Sequence, residues 1–381
     1  MKIGILTFHA VPNYGAVLQA YALQMYLEQC GHQAEFIDYR PSYITTGGWF
    51  HLPKSAWHVK ANVVITYQKL MALKGIFNVD MREQNKRFDQ FTDVYLKLSP
   101  MRYKTLGGLQ NNPPIYDSYI CGSDQIWNPS KQHGLDPACF LNFGSKLIKK
   151  ISYAASFGCT EIPQRHHAEA AAFLEALDVV SVREASGCSM LKRFADRESV
   201  LVPDPTFLVD WHSVLKSINA QPCSDGKLFS YVLRSGEGLH DFQRELSEGL
   251  GVEVVQPLNP HQRWKSYGEV IPMGPMEWLR SIQQSSAVVT NSFHGTVFAI
   301  LFNRPFLSVK LGGSKAGLNE RMDYLLASLG LERRQISLDK SKRALTLMEE
   351  PIDWAKVNSR IAAMKEQGVA FLSNALSSQK V

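Results

Sequence analysis

The chain has 381 residues, 45% of them apolar, and its 41 Lys and Arg against 35 Asp and Glu give a formal charge of +6. This length predicts two domains with buried cores, and the apolar content excludes a disordered protein. No run of about 18 uncharged apolar residues is present, so no transmembrane helix is predicted. The first residues lack the pattern of a secretory signal, and we expect a cytoplasmic protein.

Short β-branched runs alternate with helical stretches along the first half of the chain, which is typical of an α/β protein with parallel sheets. Apolar residues near a 3.6-residue period predict a helix over 14–31 that Gly31 ends. The strands predicted in this half are 2–8, 34–39, 116–121, 150–156, 179–182 and 200–202.

The alternation starts again after a segment, 218–227, whose Asn, Pro, Ser and Gly are typical of a linker. Strands are predicted over 228–233, 253–256, 287–290 and 306–309. We therefore expect an N-terminal Rossmann-like domain over 1–217 and a C-terminal one over 227–345, facing each other across a cleft at the carboxyl ends of their strands. A C-terminal helix over 351–378 is expected to pack back across both domains.

The positive charge is concentrated in residues 40–104, which contain eleven basic and four acidic residues, or 11 − 4 = +7. The remainder of the chain therefore sums to about −1. Within this segment, residues 40–74 carry five basic residues, no acid and five aromatics, including Trp49 and Trp57. One interpretation is an insertion that contacts an anionic membrane surface, and the other is an ordinary solvated excursion of the chain.

Polar residues follow two predicted strands of the first domain. Asn13 and Gly15 open the first helix, where a turn can present N–H groups to an anion or serve only as a connection. Ser123 and Asp124 come directly after the strand that ends at residue 121. Ligands of open parallel sheets bind at this edge, although either residue could instead cap a helix.

Two further residues of the first domain lie after predicted strands. Arg183 follows strand 179–182, and its guanidinium suits a carboxylate or phosphate, or else a structural salt bridge to Glu184. Asp204 lies between two prolines that hold the chain extended, and it either points into the site or stabilises a turn.

The second domain contains the most informative segment. A buried strand leads to Asn291 and Ser292, and His294 then stands at the predicted start of an apolar helix. The charged form of an imidazole is disfavoured beside a helix N-terminus unless a bound anion restores it. His294 is therefore either an acid that becomes competent when an anionic substrate binds or a histidine packed at a strand–helix junction.

A basic loop follows the strand 306–309. It contains Lys310 and Lys315 and leads to Arg321 at the start of another predicted helix. These cations would add positive charge to the edge of the sheet on which His294 lies, or they belong to a simple surface loop.

Together these segments resemble the polysaccharide pyruvyl transferase family over roughly residues 1–335. The matching tripeptides, in chain order, are Asn13-Tyr14-Gly15, Gly122-Ser123-Asp124, Ser156-Phe157-Gly158, Val182-Arg183-Glu184, Pro203-Asp204-Pro205 and Phe293-His294-Gly295. The resemblance implies an α/β fold with two Rossmann-like domains across a cleft, similar to GT-B glycosyltransferases.

The resemblance also implies an activity. Phosphoenolpyruvate would be the co-substrate, and its pyruvyl group would become a cyclic ketal on a sugar of a bacterial capsule or exopolysaccharide. The partners implied are phosphoenolpyruvate and a sugar acceptor, which we expect to be a lipid-linked oligosaccharide met at the inner face of the plasma membrane through residues 40–104. No nucleic acid, no cofactor and no metal are expected, and no two of the six cysteines lie closer than 18 positions, as a zinc motif would require.

Residue roles follow from the resemblance and from the chemistry of this donor. Members of the family carry Arg-Leu-His where this chain has Ser292-Phe293-His294, so that the anion-binding role of the arginine must fall to other cations. His294 is predicted to be the general acid, because histidine titrates close to neutral pH. The other assignments are Asp124 as a second catalytic residue, Arg183, Arg321, Lys310, Lys315, Ser292 and Asn291 at the donor, and Asn13, Gly15, Ser123 and Asp204 at the acceptor or cleft.

Two other classes of function remain open at this point. A nucleotide-sugar glycosyltransferase would use the same two-domain architecture, but the basic character of the second-domain edge favours a compact anionic donor. A non-catalytic protein that binds a glycan or a membrane surface would use only the basic segment.

Overall fold

The computed structural model describes residues 1–45, 50, 52, 59, 62–67, 69–70, 78–132, 134–218, 225–233, 238–259, 267–311, 319–338 and 341–377. The chain forms two units. The first consists of Met1–Phe77, Thr92–Val209 and Met364–Val381, and the second of Asn78–Phe91 and Asp210–Ala363. Each unit contains one parallel β-sheet.

The sheet of the first unit has seven strands in the order β3-β2-β1-β4-β5-β6-β7. Its central strands β4 and β5 are buried along their whole length, as strands inside a parallel sheet should be. The bounds are β1 Lys2–Leu6, β2 Gln33–Tyr39, β3 Leu98–Tyr103, β4 Ser118–Cys121, β5 Lys149–Ala155, β6 Val179–Val182 and β7 Val200–Leu201.

Helices connect these strands, and the first of them, Tyr14–Gln29, is buried along most of its length. Asn13 caps this helix, since its Oδ1 accepts a hydrogen bond from the Ala16 N–H at 3.1 Å. Gly31 follows the helix with a φ of 83°, which glycine adopts readily. The remaining helices whose residues lie wholly in this unit are Ser42–Thr45, Leu106–Asn111, Pro129–Gln132, Pro137–Phe140, Gln164–His166, His167–Leu174, Ala185–Ala195 and Pro205–Leu208.

The sheet of the second unit has six strands in the order β10-β9-β8-β11-β12-β13. The bounds are β8 Leu228–Tyr231, β9 Val254–Pro257, β10 Glu269–Ile271, β11 Ala287–Thr290, β12 Phe306–Val309 and β13 Gln335–Ile336. The helices of this unit are Trp211–Ser217, Leu239–Leu250, Pro275–Gln284, Phe293–Leu301, Glu320–Leu329, Glu332–Arg334 and Ser341–Glu349.

A large buried aromatic side chain anchors each core. In the first unit the Trp127 ring stacks on Phe140 at 4.9 Å. In the second unit the Trp278 ring meets Tyr231 and Phe298 edge-on, with centroids 5.2 and 5.6 Å apart. Aromatic pairs of this kind stabilise a core beyond the area that they bury.

The sequence predicted this α/β architecture with two parallel sheets, and the structure confirms it. Every predicted strand is present within two residues of its expected bounds, and the predicted C-terminal helix is Trp354–Ser377. The strands that sequence reasoning missed are β3, β10 and β13, and each lies at the edge of its sheet. β10 and β13 are only three and two residues long, and β3 contains Pro100, which an edge strand tolerates better than a central one.

Residues 40–104, predicted as a single insertion, contribute to both units. Leu98–Tyr103 is β3 of the first sheet. The helix Val79–Tyr95 belongs mainly to the second unit, where Arg87 pairs with Glu277 and Gln84 donates to the Leu258 carbonyl. Trp49 and Trp57 lie outside the described residues. The domain limits at 217, 227, 345, 351 and 378 stay a prediction.

Candidate functional site

Three predicted site residues of the first unit meet in a buried group, Ser123, Arg183 and Asp204, which we call the Arg183 network. Arg183 Nη1 donates to Asp204 Oδ2 at 2.6 Å, and Ser123 Oγ donates to the same oxygen at 3.1 Å. The three residues are no more than 4% exposed. They follow β4, β6 and β7, whose carboxyl ends lie at one edge of the parallel sheet.

The charge of Arg183 is balanced by two carboxylates. Its Nε donates to Glu184 Oε1 at 3.1 Å, in addition to the bond to Asp204. Burial lowers the pKa of the Arg183 guanidinium, but Glu184, Asp204 and Asp124 outweigh this and raise the pKa above its ordinary value. The salt bridge to Glu184, one of the two interpretations of the sequence, is therefore present.

Asp204 also organises its own turn. Its Oδ1 accepts hydrogen bonds from the Thr206 N–H at 3.0 Å and from the Thr206 hydroxyl at 2.8 Å, at the start of the short helix Pro205–Leu208. All of these contacts are internal to the first unit. Asp204 therefore stabilises a turn and neutralises Arg183 at the same time.

The other predicted residues of the first unit differ in their surroundings. Asp124 is buried with a φ of 64°, and its carbonyl accepts from the Ser156 N–H at 3.1 Å. Asn13 is exposed and acts as the helix cap described above, whereas Gly15 is buried within that helix. The structure thus places Asp124 beside the Arg183 network, and the catalytic or acceptor roles of these residues stay predictions.

In the second unit, the segment after β11 forms a capped helix N-terminus. Ser292 Oγ accepts a hydrogen bond from the Gly295 N–H at 3.3 Å, and the Ser292 N–H donates to Thr290 Oγ1 at 3.0 Å. A Cβ at Gly295 would lie 2.4 Å from Thr290 Oγ1, so this close turn requires glycine. His294 is the second residue of the helix Phe293–Leu301 and is 7% exposed.

An aromatic ring links His294 to a cation. The Phe293 ring meets the His294 imidazole edge-on at 5.2 Å, and the Arg321 guanidinium lies over the Phe293 ring at 5.8 Å. A cation over an aromatic face is held by the electrostatic field of the ring. We call Ser292, Phe293, His294 and Arg321 the Phe293 cluster.

Of the other predicted donor residues, Asn291 and Lys310 belong to the described part of the chain. Asn291 Oδ1 accepts from the Leu233 N–H at 2.8 Å and so ties the end of β11 to the segment after β8. Lys310 is exposed directly after β12. Lys315 lies outside the described residues.

Sequence reasoning missed a charged group at the carboxyl ends of β1, β2 and β3. Asp38 Oδ1 accepts from Arg40 Nε at 2.5 Å, and Asp38 Oδ2 accepts from Arg102 Nε at 2.8 Å. His9 Nε2 lies 3.1 Å from Asp38 Oδ1. We call these four residues the Asp38 cluster.

Its electrostatics are dominated by the cations. Burial raises the pKa of the Asp38 carboxyl, but the hydrogen bonds from His9, Arg102 and Arg40 outweigh this and hold it well below its usual range. Asp38 near the end of a predicted strand, with basic residues beyond it, was the available signal. Because β3 was not predicted, Arg102 had no assigned place in the sheet.

Where the chain is described, no group of three or more His, Cys, Asp and Glu side chains could hold a metal ion. No helix of the described part is long and apolar enough to cross a bilayer. The predictions that no metal and no cofactor are needed stay predictions.

The order of the matching segments along the chain is that of a known enzyme family. The sequence profile of the polysaccharide pyruvyl transferases matches residues 13–311, which is most of the chain. The chain belongs to the polysaccharide pyruvyl transferase family. No curated protein sequence matches it significantly.

Membership in the polysaccharide pyruvyl transferase family confirms the resemblance on which the sequence analysis relied, and it supports a transferase of polysaccharide biosynthesis with a sugar acceptor. The matched residues include the Arg183 network and Ser292, Phe293 and His294 of the Phe293 cluster, whereas Arg321 lies ten positions beyond their end, since 321 − 311 = 10.

Solved structures resemble this pyruvyl transferase in fold. UDP-GlcNAc 2-epimerase from Neisseria meningitidis bound to UDP-GlcNAc has 8% identity and a TM-score of 0.51, over 99% of this chain and 100% of that one. MnaA from S. aureus, in a co-structure with UDP, has 10% identity and a TM-score of 0.50, and the match covers 100% of this chain and 98% of that one. The spinosyn rhamnosyltransferase SpnG has 12% identity and a TM-score of 0.46, and the match covers 99% of this chain and 100% of that one. The GT-B-like fold class is confirmed, and at these identities the likeness shows the fold alone.

Proposed function

We propose that this protein transfers the pyruvyl group of phosphoenolpyruvate to two hydroxyls of a sugar, forming a cyclic ketal on a cell-surface polysaccharide or its lipid-linked precursor. Family membership supports the reaction class. The observation that carries the assignment of residues is the Phe293 cluster, in which His294 at a helix N-terminus and the Arg321 cation contact the same aromatic ring. The cluster thus places a candidate acid, His294, beside a cation, Arg321. Phosphoenolpyruvate requires both, because it is an anion that must be protonated on carbon.

The donor carries a carboxylate and a phosphate, so its site needs cations and oriented N–H groups. Arg321 and the exposed Lys310 are the cations that we assign to this role in the second unit. The N-terminus of the helix Phe293–Leu301 adds the positive end of a helix dipole, which favours a bound anion. The Ser292 side chain fixes the turn from which that helix starts.

The chemical step begins with a proton transfer to carbon. His294 donates its proton to the vinyl CH2 of phosphoenolpyruvate, which makes C2 electrophilic, and one sugar hydroxyl then adds to C2 and loses its proton. The second hydroxyl displaces phosphate from C2 and closes the ketal. Its proton returns to the His294 imidazole, and the proton lost by the first hydroxyl leaves on the phosphate. The acceptor gains one pyruvate less one water, and one inorganic phosphate is released. Bound phosphate and carboxylate favour the charged imidazole that starts the sequence.

We assign Arg183 a supporting role. Its guanidinium is paired with Asp204 and Glu184 inside the first unit, so it stabilises the turn after β7 and the loop after β4. Asp124, beside this network, is the residue that we propose to orient or deprotonate the acceptor hydroxyl.

Incubation with phosphoenolpyruvate and a panel of lipid-linked oligosaccharides, read by mass spectrometry, tests the proposal. We expect a product heavier than the acceptor by one pyruvate less one water, with an equal amount of phosphate released. A thermal-shift titration gives a second readout, because a ligand that binds the folded state raises its melting temperature. Stabilisation by a UDP-sugar but not by phosphoenolpyruvate would instead indicate a nucleotide-sugar glycosyltransferase, and no response to any donor would indicate a binding protein.

We further propose that the segment 40–74 contacts the anionic inner surface of the plasma membrane. Large apolar side chains are exposed along it, among them Phe50, Leu52, Val63 and Leu70. Lys69 Nζ lies over the Phe50 ring, 4.7 Å from its centroid, so a cation and an exposed aromatic side chain are in contact. Apolar side chains interspersed with lysines are typical of peripheral membrane contacts.

Neutralising Lys54, Lys60, Lys69 and Lys74 together to glutamine tests this contact. Each lysine near an anionic surface is worth about 1 kcal/mol, so binding to phosphatidylglycerol vesicles should weaken markedly and depend less on salt. Binding equal to that of the unchanged protein would show that these lysines form only a solvated face.

A further inference from the structure

The two ends of the basic segment 40–104 meet at a single carboxylate. Arg40 comes directly after β2 and Arg102 lies near the end of β3, and both donate through Nε to Asp38. The strand order β3-β2-β1 brings their carboxyl ends together, although Asp38 and Arg102 are 64 positions apart. The Asp38 cluster therefore lies where the segment 40–74 leaves the sheet.

Positive charge exceeds negative charge in this cluster. Two guanidinium groups share one carboxylate, which leaves an excess of at least one positive charge before His9 is counted. In the part of the chain that the structure describes, the terminal Nη atoms of Arg40 and Arg102 make no hydrogen bond or ion pair. The Arg40 and Arg102 side chains are 22% and 55% exposed, so that these donors remain accessible from solvent.

The base of the cluster is rigid. The Asp38 side chain is 5% exposed, and its backbone N–H donates to Ser99 Oγ at 3.0 Å. The His9 ring is 1% exposed, lies 3.1 Å from both the Thr7 carbonyl oxygen and Asp38 Oδ1, and stacks on Phe36 at 5.4 Å. Guanidinium groups held in this way through Nε lose little further entropy when they bind a ligand.

Two accessible guanidinium groups beside each other match an anion with several oxygens on adjacent centres. Guanidinium binds phosphate oxygens in a bidentate manner, and two such groups suit a diphosphate better than a single carboxylate. Among the described residues, the exposed apolar side chains of Phe50 and Leu52 follow Arg40 by ten and twelve positions along the chain. A ligand with a diphosphate and a hydrocarbon chain would use both features.

We propose that Arg40 and Arg102 bind the diphosphate group of a lipid-linked sugar acceptor. This inference rests on the proposed function, since it assigns the class of the acceptor and the place where its anionic group binds. Asp38 and His9 position the two arginines and do not contact the ligand.

Calorimetric titration with farnesyl diphosphate, a soluble prenyl diphosphate, tests this site in the full-length protein. A hydrogen bond to a charged group is worth about 1.5–3 kcal/mol, which corresponds to tenfold or more in affinity. We therefore expect the Arg40→Gln/Arg102→Gln variant to bind at least about tenfold more weakly. Arg193→Gln is the matched control, because Arg193 is also exposed and paired with one carboxylate, Glu161, and it should bind as the unchanged protein does.

Further ligands separate the sources of phosphate. Inorganic pyrophosphate should compete with farnesyl diphosphate, and farnesol should bind far more weakly than either. Phosphatidylglycerol vesicles should bind the double variant and the unchanged protein alike. Equal affinity of both proteins for farnesyl diphosphate would overturn the proposal, and so would a loss of vesicle binding that matches the loss of farnesyl diphosphate binding.

The single variant Arg102→Gln keeps the test decisive if the double variant does not fold, because Arg102 is the more exposed of the two arginines. It should weaken farnesyl diphosphate binding while the melting temperature stays close to that of Arg193→Gln. Binding is measured without phosphoenolpyruvate, so it is independent of pyruvyl transfer. An absence of ketal product with intact diphosphate binding would count against the proposed reaction and not against this site.

Discussion

The Arg183 network and the Phe293 cluster both include residues that follow the carboxyl ends of parallel strands, but their arginines have different surroundings. In the first unit, Arg183 is buried and paired with Asp204 and Glu184. In the second unit, Arg321 is only partly buried and lies over the face of an aromatic ring. Arg183 comes directly after the carboxyl end of β6, whereas Arg321 is the second residue of the helix Glu320–Leu329.

This difference separates a structural cation from a candidate ligand-binding one. A guanidinium whose charge is already balanced by two buried carboxylates gains little from a further anion and would have to break strong contacts to meet it. Arg321, by contrast, is partly exposed to solvent, from which a ligand can approach it. We therefore propose that the donor binds at the Phe293 cluster and that Arg183 is a structural cation.

The largest effect on stability should come from Arg183→Met. This change leaves the Asp204 and Glu184 carboxylates buried without their cation, and the loss of one partner of a buried ion pair lowers the free energy of unfolding by about 3–5 kcal/mol. Urea denaturation measures the change. Arg193→Gln, which breaks an exposed pair with Glu161, should stay within about 1 kcal/mol of the unchanged protein. If Arg183→Met is as stable as this control but raises the KM for phosphoenolpyruvate, Arg183 belongs to the donor site.

A large effect on catalysis should come from His294→Ala. Loss of a general acid lowers turnover by about 10²-fold or more, whereas urea denaturation should show that the variant still folds. The matched control is His240→Ala, a partly exposed histidine of the same unit, which should leave turnover unchanged. Turnover of His294→Ala equal to that of this control would remove His294 from the role of acid.

A smaller effect is expected for Arg321→Gln. The variant loses one charged contact to the donor, so the KM for phosphoenolpyruvate should rise about tenfold with a smaller change in kcat. The free energy of unfolding should fall by less than in Arg183→Met, because Arg321 is partly exposed whereas Arg183 is buried. A large loss of stability with an unchanged KM would place Arg321 with Arg183 as a structural cation.

Local sequence patterns were sufficient to predict the central strands of both sheets. Runs such as Ala287–Thr290 and Val179–Val182 are β-branched and buried, and their period and flanking turns identify them. The strands β3, β10 and β13 were not predictable in this way. An edge strand is held by a neighbour on one side only, so its sequence carries a weaker pattern, and Pro100 even argues against β3.

The sequence was sufficient to predict that the site residues follow strands, but not which residues they pair with. Ser123, Arg183 and His294 follow strands that were recognised, and the carboxyl ends of parallel strands meet at one edge. The partner of Arg183 lies 21 positions along the chain, and Arg102 reaches Asp38 across 64 positions. No local period relates such residues, and only the order of strands in the sheet brings them together.

Short-range spacing was enough to predict the α/β class, the central strands, the family and the position of His294 at a helix start. Which positive charges are neutralised depends instead on contacts between residues that are distant in the sequence. Arg183 is paired inside its unit, whereas Arg40 and Arg102 together outnumber the one carboxylate between them. The physical reason is that an ion pair depends on the distance between side chains in space, which strand order and burial set and residue spacing does not.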